Sequence, residues 1–292
     1  MRIDAHHHLW DLTAVHYPWL MAQGVNRFFG NPAPIQRNYL IKEFSDDAKR
    51  HGISGSVHIQ VGAEHPLQEA LWVQEVSEAN PHWPMVQVAF CDLTSDSLTD
   101  DLDRLQNLST LRGVRQIVGR APGEDALTGT NTLLDDPSFL SGLREVAKRD
   151  LSFDLQLIPE LMEKTAAVLE RVPDLPVALC HAGSPHDRTS DGLKHWAGEL
   201  RALSRLPNVT CKLSGLGMFD HRWTKDSIQP IVETCLDQFG QKRLMFGSNF
   251  PVDSLYSDYS KLFMALEHLV PENWHKDVFG ANAAAFYGFA KL

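Results

Sequence analysis

Short apolar runs alternate along the chain with longer stretches in which apolar residues recur at helical spacing. Eight of the short runs have the length and composition of buried β-strands. The predicted strands are Arg2–His6, Gly55–Val61, Met85–Cys91, Arg112–Val118, Leu151–Leu157, Pro176–His181, Asn208–Ser214 and Arg243–Asn249.

The stretches between these runs contain the predicted helices. Several of them begin with proline, which suits the first turn of a helix, and Asp136 precedes Pro137 as an N-cap. The predicted helices are Ile41–His51, Pro66–Ala79, Pro137–Arg149, Pro159–Val172, Gly192–Leu206, Thr224–Phe239, Asp258–Leu269 and Trp274–Phe289.

Regular alternation of strand and helix predicts an α/β protein built from parallel βαβ units. Eight such units close most naturally into a (β/α)₈ TIM barrel, which we expect to form a single domain over residues 1–292. A doubly wound open sheet is the alternative. It is disfavoured because no GxGxxG sequence follows the first strand.

The connection after the first strand is much longer than the others. It runs from Leu9 to Leu40, roughly thirty residues, where such connections usually have about 2–6. We expect this loop to form a wall or lid over the C-terminal face of the barrel, an aromatic plug on one side of it, or both. Its aromatic residues are Trp10, Tyr17, Trp19, Phe28, Phe29 and Tyr39.

Charge and composition narrow the class of protein. The formal net charge of −10 argues against a broad nucleic-acid-binding face, although a few local arginines could still bind a small acidic substrate. The chain lacks an apolar run of about 18 residues, so no membrane span is expected. It also lacks a secretory signal pattern, so we expect a cytoplasmic protein. A homo-oligomer is compatible with the sequence.

The cysteines do not suggest a disulfide framework or a thiolate metal site. They show no CxxC spacing, and most of them lie in or beside apolar strands, where buried free thiols are expected. They are Cys91, Cys180, Cys211 and Cys235.

Polar side chains gather at the C-terminal ends of the predicted strands, where barrel enzymes carry their active sites. Each buried polar group without a partner costs about 1–3 kcal/mol, so this concentration predicts a site and not a structural core. On alternation alone, Asp4, His6 and His8 share one face of strand 1, and His58 shares a face with Gln60. The other strand-end residues are Arg115, Asp154, Gln156, His181, Lys212, Ser214 and Asn249.

The pair His6 and His8 is the most specific chemical signal. Two histidines separated by one strand residue lie on one side, about 6.5–7 Å apart along the backbone, and can chelate one divalent ion. A purification tag is the alternative, but a tag lies outside the fold and these histidines lie within the first apolar strand. His181, at the end of a buried strand, is the third candidate.

Several motifs, in this order, resemble those of one known family. They are the opening Ile3-Asp4-Ala5-His6-His7-His8, then Tyr17-Pro18-Trp19, Gly113-Val114-Arg115-Gln116, Phe153-Asp154-Leu155, His181-Ala182-Gly183-Ser184-Pro185, Lys212-Leu213-Ser214-Gly215 and Phe246-Gly247-Ser248-Asn249-Phe250-Pro251. Together they resemble the amidohydrolase superfamily, and within it the lactonases that act on sugar acids and on 2-pyrone-4,6-dicarboxylate.

The resemblance implies a barrel that adds water to a carbonyl carbon. It implies that His6, His8 and His181 are catalytic and hold a divalent metal, zinc or manganese, if one is bound; some lactonases of this type work without a firmly held metal. It also implies cationic residues that bind a substrate carboxylate, for which the candidates are Arg115, Arg120, Arg188 and Lys212. Further substrate-binding candidates are Tyr17, Trp19, Gln60 and Gln156.

The last strand departs from the family pattern. Most members carry there an aspartate that activates the attacking water, whereas this chain has Asn249. An amide cannot accept that proton, although its oxygen can bind water or weakly ligate a metal. Asp253, four residues later, or His181 is then the candidate base.

These observations predict a hydrolase, a lactonase, that opens a small cyclic ester of an acidic or polyhydroxylated carbon skeleton. One alternative is a decarboxylase or lyase that acts on a small carboxylic acid with the same constellation. The other is a ligand-binding barrel that has lost turnover.

Overall fold

Eight parallel strands form a sheet with the sequential order β1 to β8. In the computed structural model, which describes residues 1–289, each predicted strand is found within a few residues of its expected position. The strands are β1 (Arg2–His7), β2 (Ile53–Ile59), β3 (Met85–Phe90), β4 (Leu111–Arg115), β5 (Ser152–Leu155), β6 (Val177–Leu179), β7 (Val209–Leu213) and β8 (Leu244–Phe246).

The first and last strands meet and bring the sheet round into a nearly closed barrel. Just beyond the end of β8, the Asn249 amide donates to the His6 carbonyl at 2.7 Å, and the His8 amide donates to the Phe250 carbonyl at 2.7 Å. Asp4 adds its buried carboxylate, which accepts from the His6 amide at 3.0 Å and from the Ser248 amide at 2.9 Å. The predicted (β/α)₈ barrel is confirmed.

Helices surround the sheet and cover its outer face. They are α1 (Pro18–Met21), α2 (Ile41–Lys49), α3 (Pro66–Ala79), α4 (Leu98–Gln106), α5 (Pro122–Thr128), α6 (Pro137–Lys148), α7 (Met162–Leu169), α8 (Ser190–Ser204), α9 (Lys225–Phe239), α10 (Tyr259–Leu269) and α11 (Asn282–Phe286). The expected Asp136 N-cap is present and accepts from the Ser138 amide at 2.8 Å.

The predicted helices differ from the structure in three places. The helix predicted over Pro159–Val172 is a 3₁₀ turn followed by α7, and the one predicted over Trp274–Phe289 is broken into a 3₁₀ turn, a π-helical turn and α11. Helix α4 was not predicted, although its buried Leu98, Leu102 and Leu105 have helical spacing. Helices α1 and α5 are short and lie within connections.

Two apolar clusters build the core. The larger lies between the sheet and the helices. The smaller fills the barrel interior, where Ile3 and Ala5 of β1 meet Val57 and Ile59 of β2, with Tyr287 from beyond α11. The four cysteines are free and buried, as expected. Among residues 1–289, no helix is long and apolar enough to cross a membrane.

A register irregularity in β1 corrects the expected strand faces. Ile3 and Ala5 point into the barrel, so Asp4 points outwards, where it accepts from Tyr259 of α10 at 3.0 Å. The pairing of β1 with β2 shifts between Asp4 and His7, and beyond that shift His6 and His8 point inwards. The prediction from simple alternation, that Asp4 shares a face with the two histidines, is therefore wrong.

His58 was also placed wrongly by alternation. It does not face the barrel interior with Gln60: its ring lies 5.8 Å from that of His7, which stacks on Phe44 of α2 on the outer side. The strand ends at Ile59, so the alternation no longer applies at Gln60.

Candidate active site

A cavity of about 900 Å³ opens at the C-terminal ends of the strands, as expected for a barrel enzyme. Its wall includes eight of the candidate site residues from the sequence, one of which is Arg120. The other seven are His8, Trp19, Gln60, Arg115, Gln156, His181 and Asn249.

Three imidazoles converge at the inner end of this cavity. The ring centroid of His6 lies 5.1 Å from that of His8 and 4.5 Å from that of His181. His8 Nδ1 lies 2.8 Å from the Ile59 carbonyl oxygen, and His181 Nδ1 lies 3.0 Å from Ser214 Oγ. A carbonyl oxygen only accepts, so in the neutral ring His8 Nδ1 carries the proton and Nε2 keeps its lone pair. Both nitrogens of His6 are buried without a hydrogen-bond partner among the described residues.

The surroundings keep these imidazoles neutral. Burial, together with the charge of the nearby Arg115, lowers the pKa of His8 to about 3. Burial also lowers the pKa of His6 and of His181 well below the ordinary value, and the charges of Arg115 and Lys212 act in the same direction. Neutral imidazoles are the form that binds metals, so lone pairs are available here at neutral pH.

The backbone at the strand ends has an uncommon conformation. Residues His181, Ala182 and Ser184 after β6 have φ values of 57°, 51° and 51°, and Asn249 after β8 has φ 57°. Non-glycine residues in this left-handed region cost of order 1–3 kcal/mol each and cluster at functional sites. The turns therefore place His181 and Asn249 at an energetic cost that the surrounding packing must offset.

Asn249 lies in the cavity wall, and Asp253 lies behind it. Asn249 Oδ1 is 3.2 Å from His8 Nε2, so two acceptor atoms face each other. Either a cation or a proton lies between them, or the Asn249 amide is rotated so that its NH₂ group donates to His8. Asp253 is buried, and its carboxyl oxygens have no hydrogen-bond partner among residues 1–289. Burial raises the pKa of Asp253 to about 8, although Asn249 and Arg188 act to lower it.

Arg115 is a buried cation without a carboxylate partner in the described structure. Its guanidinium donates to Gln156 Oε1 at 3.2 Å and to the Gln60 carbonyl, while Nε is buried without a partner. Burial lowers the pKa of Arg115, yet arginine stays charged in proteins. A buried positive charge that contacts only neutral oxygens favours an anionic or strongly polar ligand.

Comparison with known proteins agrees with this arrangement. A family model described as Amidohydrolase matches residues 3–289. The chain belongs to the amidohydrolase family. Family membership makes the protein a hydrolase.

Relatives of this amidohydrolase match along nearly its whole length. It is 35% identical to the uncharacterised protein y4mH of Sinorhizobium fredii, over 98% of this chain and 97% of that protein. It is 28% identical to an L-fucono-1,5-lactonase of Burkholderia multivorans, over 91% of this chain and 88% of that protein.

A solved amidohydrolase of Burkholderia multivorans has a similar fold. The structure with bound HEPES matches with a TM-score of 0.83 at 25% identity, and each chain is covered to 99%. The structure with bound zinc has the same TM-score of 0.83 at 24% identity, again over 99% of each chain.

Some candidates from the sequence do not reach the cavity wall of this amidohydrolase. Lys212 is fully buried and pairs with Asp154, which also accepts from the Tyr287 hydroxyl at 2.8 Å. Tyr17 is buried with its hydroxyl facing Glu69. Arg188 donates to the Leu216 carbonyl at 2.8 Å, and burial lowers its pKa to about 10. His6 and Asp253 lie behind the wall, next to His8 and Asn249 respectively.

Sequence reasoning missed an ion-pair group at the cavity mouth. Arg27 in the long loop binds Glu124 of α5 through two contacts of 2.6 and 3.2 Å, and Arg120 lies 3.7 Å from the same carboxylate. For Arg120, the sequence pattern favours a substrate-binding role no more than the role of a solvated charge on a loop. The partners are 97 residues apart, so no local pattern could have shown the pair.

The nitrogen donors of the three imidazoles suit a divalent cation by their chemistry. His6 has both ring nitrogens without a protein partner, and the lone-pair nitrogen of His8 faces the Asn249 amide; imidazole nitrogens are ligands that zinc prefers. The ligand atoms that lie within 4.8 Å of one another in the described structure are, however, those of the group His6, Asp154 and Cys180, which shares only His6 with the imidazole cluster. Its carboxylate already binds the Lys212 ammonium, so that group holds a cation of its own.

Glycine at position 247 is required by the close approach of His6. A Cβ there would lie 2.6 Å from His6 Cβ and 3.1 Å from the His6 amide nitrogen. We therefore expect Gly247→Ala to displace His6, to destabilise the protein by about 1–3 kcal/mol, and to reduce both turnover and bound metal. Thermal melts, kinetics and metal analysis measure these effects.

The matched control is Gly198→Ala in α8, where an added Cβ meets nothing within 4 Å. It should keep wild-type activity, with stability equal or slightly higher, since alanine favours helices. Normal kinetics and metal content in Gly247→Ala would contradict the importance of this contact.

A buried carboxyl beside the site makes stability depend on pH. Glu69 Oε1 accepts from the Val61 amide at 2.7 Å, and burial raises the pKa of Glu69 to about 7, from an ordinary value of 4.5. A raised pKa stabilises the fold at low pH, and this stabilisation is lost as the pH rises towards 7. Glu69→Gln should therefore gain melting temperature over wild type between pH 5 and pH 8, whereas the exposed Glu75→Gln should not. An unchanged difference at the two pH values would show that Glu69 is not buried as a neutral acid.

Proposed function

We propose that this amidohydrolase opens a small lactone by adding water to its carbonyl carbon. The observation that carries the proposal is the convergence of three neutral imidazoles beside the unpaired Arg115 at the C-terminal end of the barrel. The relatives named L-fucono-1,5-lactonase support an ester in a ring as the substrate. An acidic or polyhydroxylated carbon skeleton fits the polar inner end of the cavity.

His6, His8 and His181 would hold one divalent cation, zinc or manganese. When bound, such an ion polarises the ester carbonyl and stabilises negative charge on its oxygen. The zinc-bound amidohydrolase of Burkholderia multivorans is consistent with this assignment. The hydrogen bonds at His8 Nδ1 and His181 Nδ1 fix the orientation of the two rings and leave the opposite nitrogens as the candidate ligands.

The substrate is held by Arg115, by the amides of Gln60 and Gln156, and by the ring of Trp19. Arg115 Nε and Gln60 Oε1 are the atoms without protein partners, one a donor and the other an acceptor. Such a pair suits a carboxylate or hydroxyl group next to the ester. Trp19 is fixed by its Nε1 hydrogen bond to the Val61 carbonyl at 2.8 Å, so its ring can pack against the lactone.

Hydrolysis requires a proton acceptor for the attacking water. The water oxygen bonds to the carbonyl carbon, the ring C–O bond breaks, and the water proton finally resides on the released hydroxyl group. His181 lies in the cavity wall but belongs to the imidazole cluster that would hold the cation. We therefore assign the acceptor role to the ionised form of Asp253, which its raised pKa of about 8 makes the minor form at neutral pH and which should become more abundant as the pH rises. The proton reaches it past the Asn249 amide or through a bridging water.

A lactone panel combined with metal analysis tests the proposal. The enzyme should hydrolyse lactones that carry a carboxylate or several hydroxyls, and Arg115→Met should raise KM for the carboxylate-bearing ones more than it changes kcat. Loss of turnover on metal removal, with recovery on zinc or manganese addition, supports the cation. Decarboxylation of a small acid without lactone opening would favour the lyase. Binding of these compounds without turnover would favour a ligand-binding barrel.

The substitution pair at Asn249 and Asp253 tests the base. Asp253→Asn should lower kcat by about 10²–10⁴-fold because it removes the proton acceptor. Asn249→Ala should have a smaller effect, and Asn249→Asp should preserve or increase turnover because it supplies a carboxylate in the cavity wall. Wild-type rates in both Asp253→Asn and Asn249→Asp would rule out either carboxylate and leave His181.

A further inference from the structure

The cavity has two parts that differ in their free hydrogen-bonding capacity. The inner chamber is the part formed by His8, Gln60, Arg115, Gln156, His181 and Asn249 at the strand ends. The outer chamber is the part formed by Val25, Phe28, Arg120, Leu127, Thr130 and Leu133, from the long loop after β1 and the segment between β4 and α6.

The inner chamber has polar atoms that the protein leaves without partners. Arg115 Nε, Gln60 Oε1 and Asn249 Nδ2 are all buried without a hydrogen bond to any described residue. Buried polar atoms of this kind are normally satisfied by water or by a ligand. The inner chamber is therefore suited to an oxygen-rich group.

Most polar groups around the outer chamber, in contrast, are already paired with each other. Thr128 Oγ1 lies 2.6 Å from Thr130 Oγ1, which also accepts from Arg120 at 3.0 Å. Thr132 Oγ1 donates to the Gly129 carbonyl at 2.7 Å, and Arg27 is occupied by Glu124. These pairings take up part of the hydrogen-bonding capacity of the outer chamber, whereas the inner chamber has buried atoms with none of theirs used.

The solvent-exposed side chains that border the outer chamber include large apolar ones. Leu127 is 89% exposed and Val25 is 50% exposed, although both border the cavity. Large apolar side chains at the edge of a binding cavity gain free energy when a ligand removes them from water. Phe28, stacked on Phe219 with ring centroids 5.5 Å apart, adds a fixed aromatic surface nearby.

The size of the cavity also exceeds that of one small ring. A volume of about 900 Å³ is near the upper end of the roughly 300–1,000 Å³ found for pockets that bind drug-sized molecules. A single lactone ring in the inner chamber would leave the outer chamber empty.

We propose that the substrate is an amphiphilic lactone, with a polar ring in the inner chamber and an apolar aryl or alkyl substituent in the outer chamber. This inference rests on the proposed function, since it specifies the substrate class of the same site. Leu127, Val25 and Phe28 then determine specificity for the substituent and take no part in ring opening.

Matched pairs of lactones test the proposal. One member is a carboxylate-bearing δ-lactone, and the other carries an additional phenyl group on a ring carbon remote from the carbonyl. The phenyl group should raise kcat/KM about tenfold or more, mainly by lowering KM. In the Leu127→Gln, Val25→Asn double variant the ratio of kcat/KM between the two lactones should fall towards one.

The control is Leu71→Gln on α3, a leucine that is 47% exposed and does not border the cavity. It should keep the wild-type ratio. Melting temperatures of all variants verify that the substitutions leave the fold intact. A glucosyl-bearing lactone that is preferred over the phenyl-bearing one would overturn the apolar assignment.

Binding of unreactive lactam analogues separates the two hypotheses. Tighter calorimetric binding of the phenyl lactam, weakened in the double variant, supports the outer chamber even if no lactone is hydrolysed, in which case the proposed reaction alone fails. Hydrolysis of lactones with no phenyl preference in rate or binding overturns the amphiphilic substrate and leaves the lactonase proposal standing.

Discussion

Closure of the barrel between β1 and β8 is the constraint on which the site depends. The carboxylate of Asp4 accepts backbone amides from both sides of this seam, those of His6 and Ser248. Asp4 is fully buried, and burial raises the pKa of its carboxyl group to about 6, although its hydrogen bonds act to lower this pKa. The histidines of β1 and the Asn249 turn therefore share one anchor, which determines the distance between them.

A second buried network lies under the imidazoles and adds to the effect of burial on their protonation. Lys212 and Asp154 form an ion pair without solvent exposure, and the Tyr287 hydroxyl donates to the same carboxylate. Buried pairs are tolerated when additional hydrogen bonds satisfy them. The ammonium of Lys212, together with Arg115, disfavours positive charge on His6 and His181. Metal binding then needs little proton release from the rings.

The strands and the imidazole cluster could be predicted because each depends on local pattern plus one topological rule. The apolar runs placed β1 to β8, and the barrel rule brought their C-terminal ends together. Strict alternation failed at Asp4 and His58, since a register shift or a strand end changes which face a side chain occupies.

Depth within the barrel could not be predicted from the sequence either. Lys212 and Gln156 both belong to strand ends, yet the first is enclosed by Asp154 and Tyr287 while the second borders the cavity. Sequence position does not distinguish them, because the difference depends on which neighbour from another strand reaches the side chain first. The Arg27–Glu124 pair at the mouth likewise depends on two distant loops.

The division of the cavity has a consequence for how such enzymes diverge. The groups that would carry the chemistry come from strand ends that are tied together across the barrel, whereas the outer chamber comes from two surface segments connected by an ion pair. Mutations in these segments can accumulate without disturbing the imidazole cluster. Enzymes that descend from one ancestral hydrolase can thus acquire different substrate specificities while they keep the same reaction.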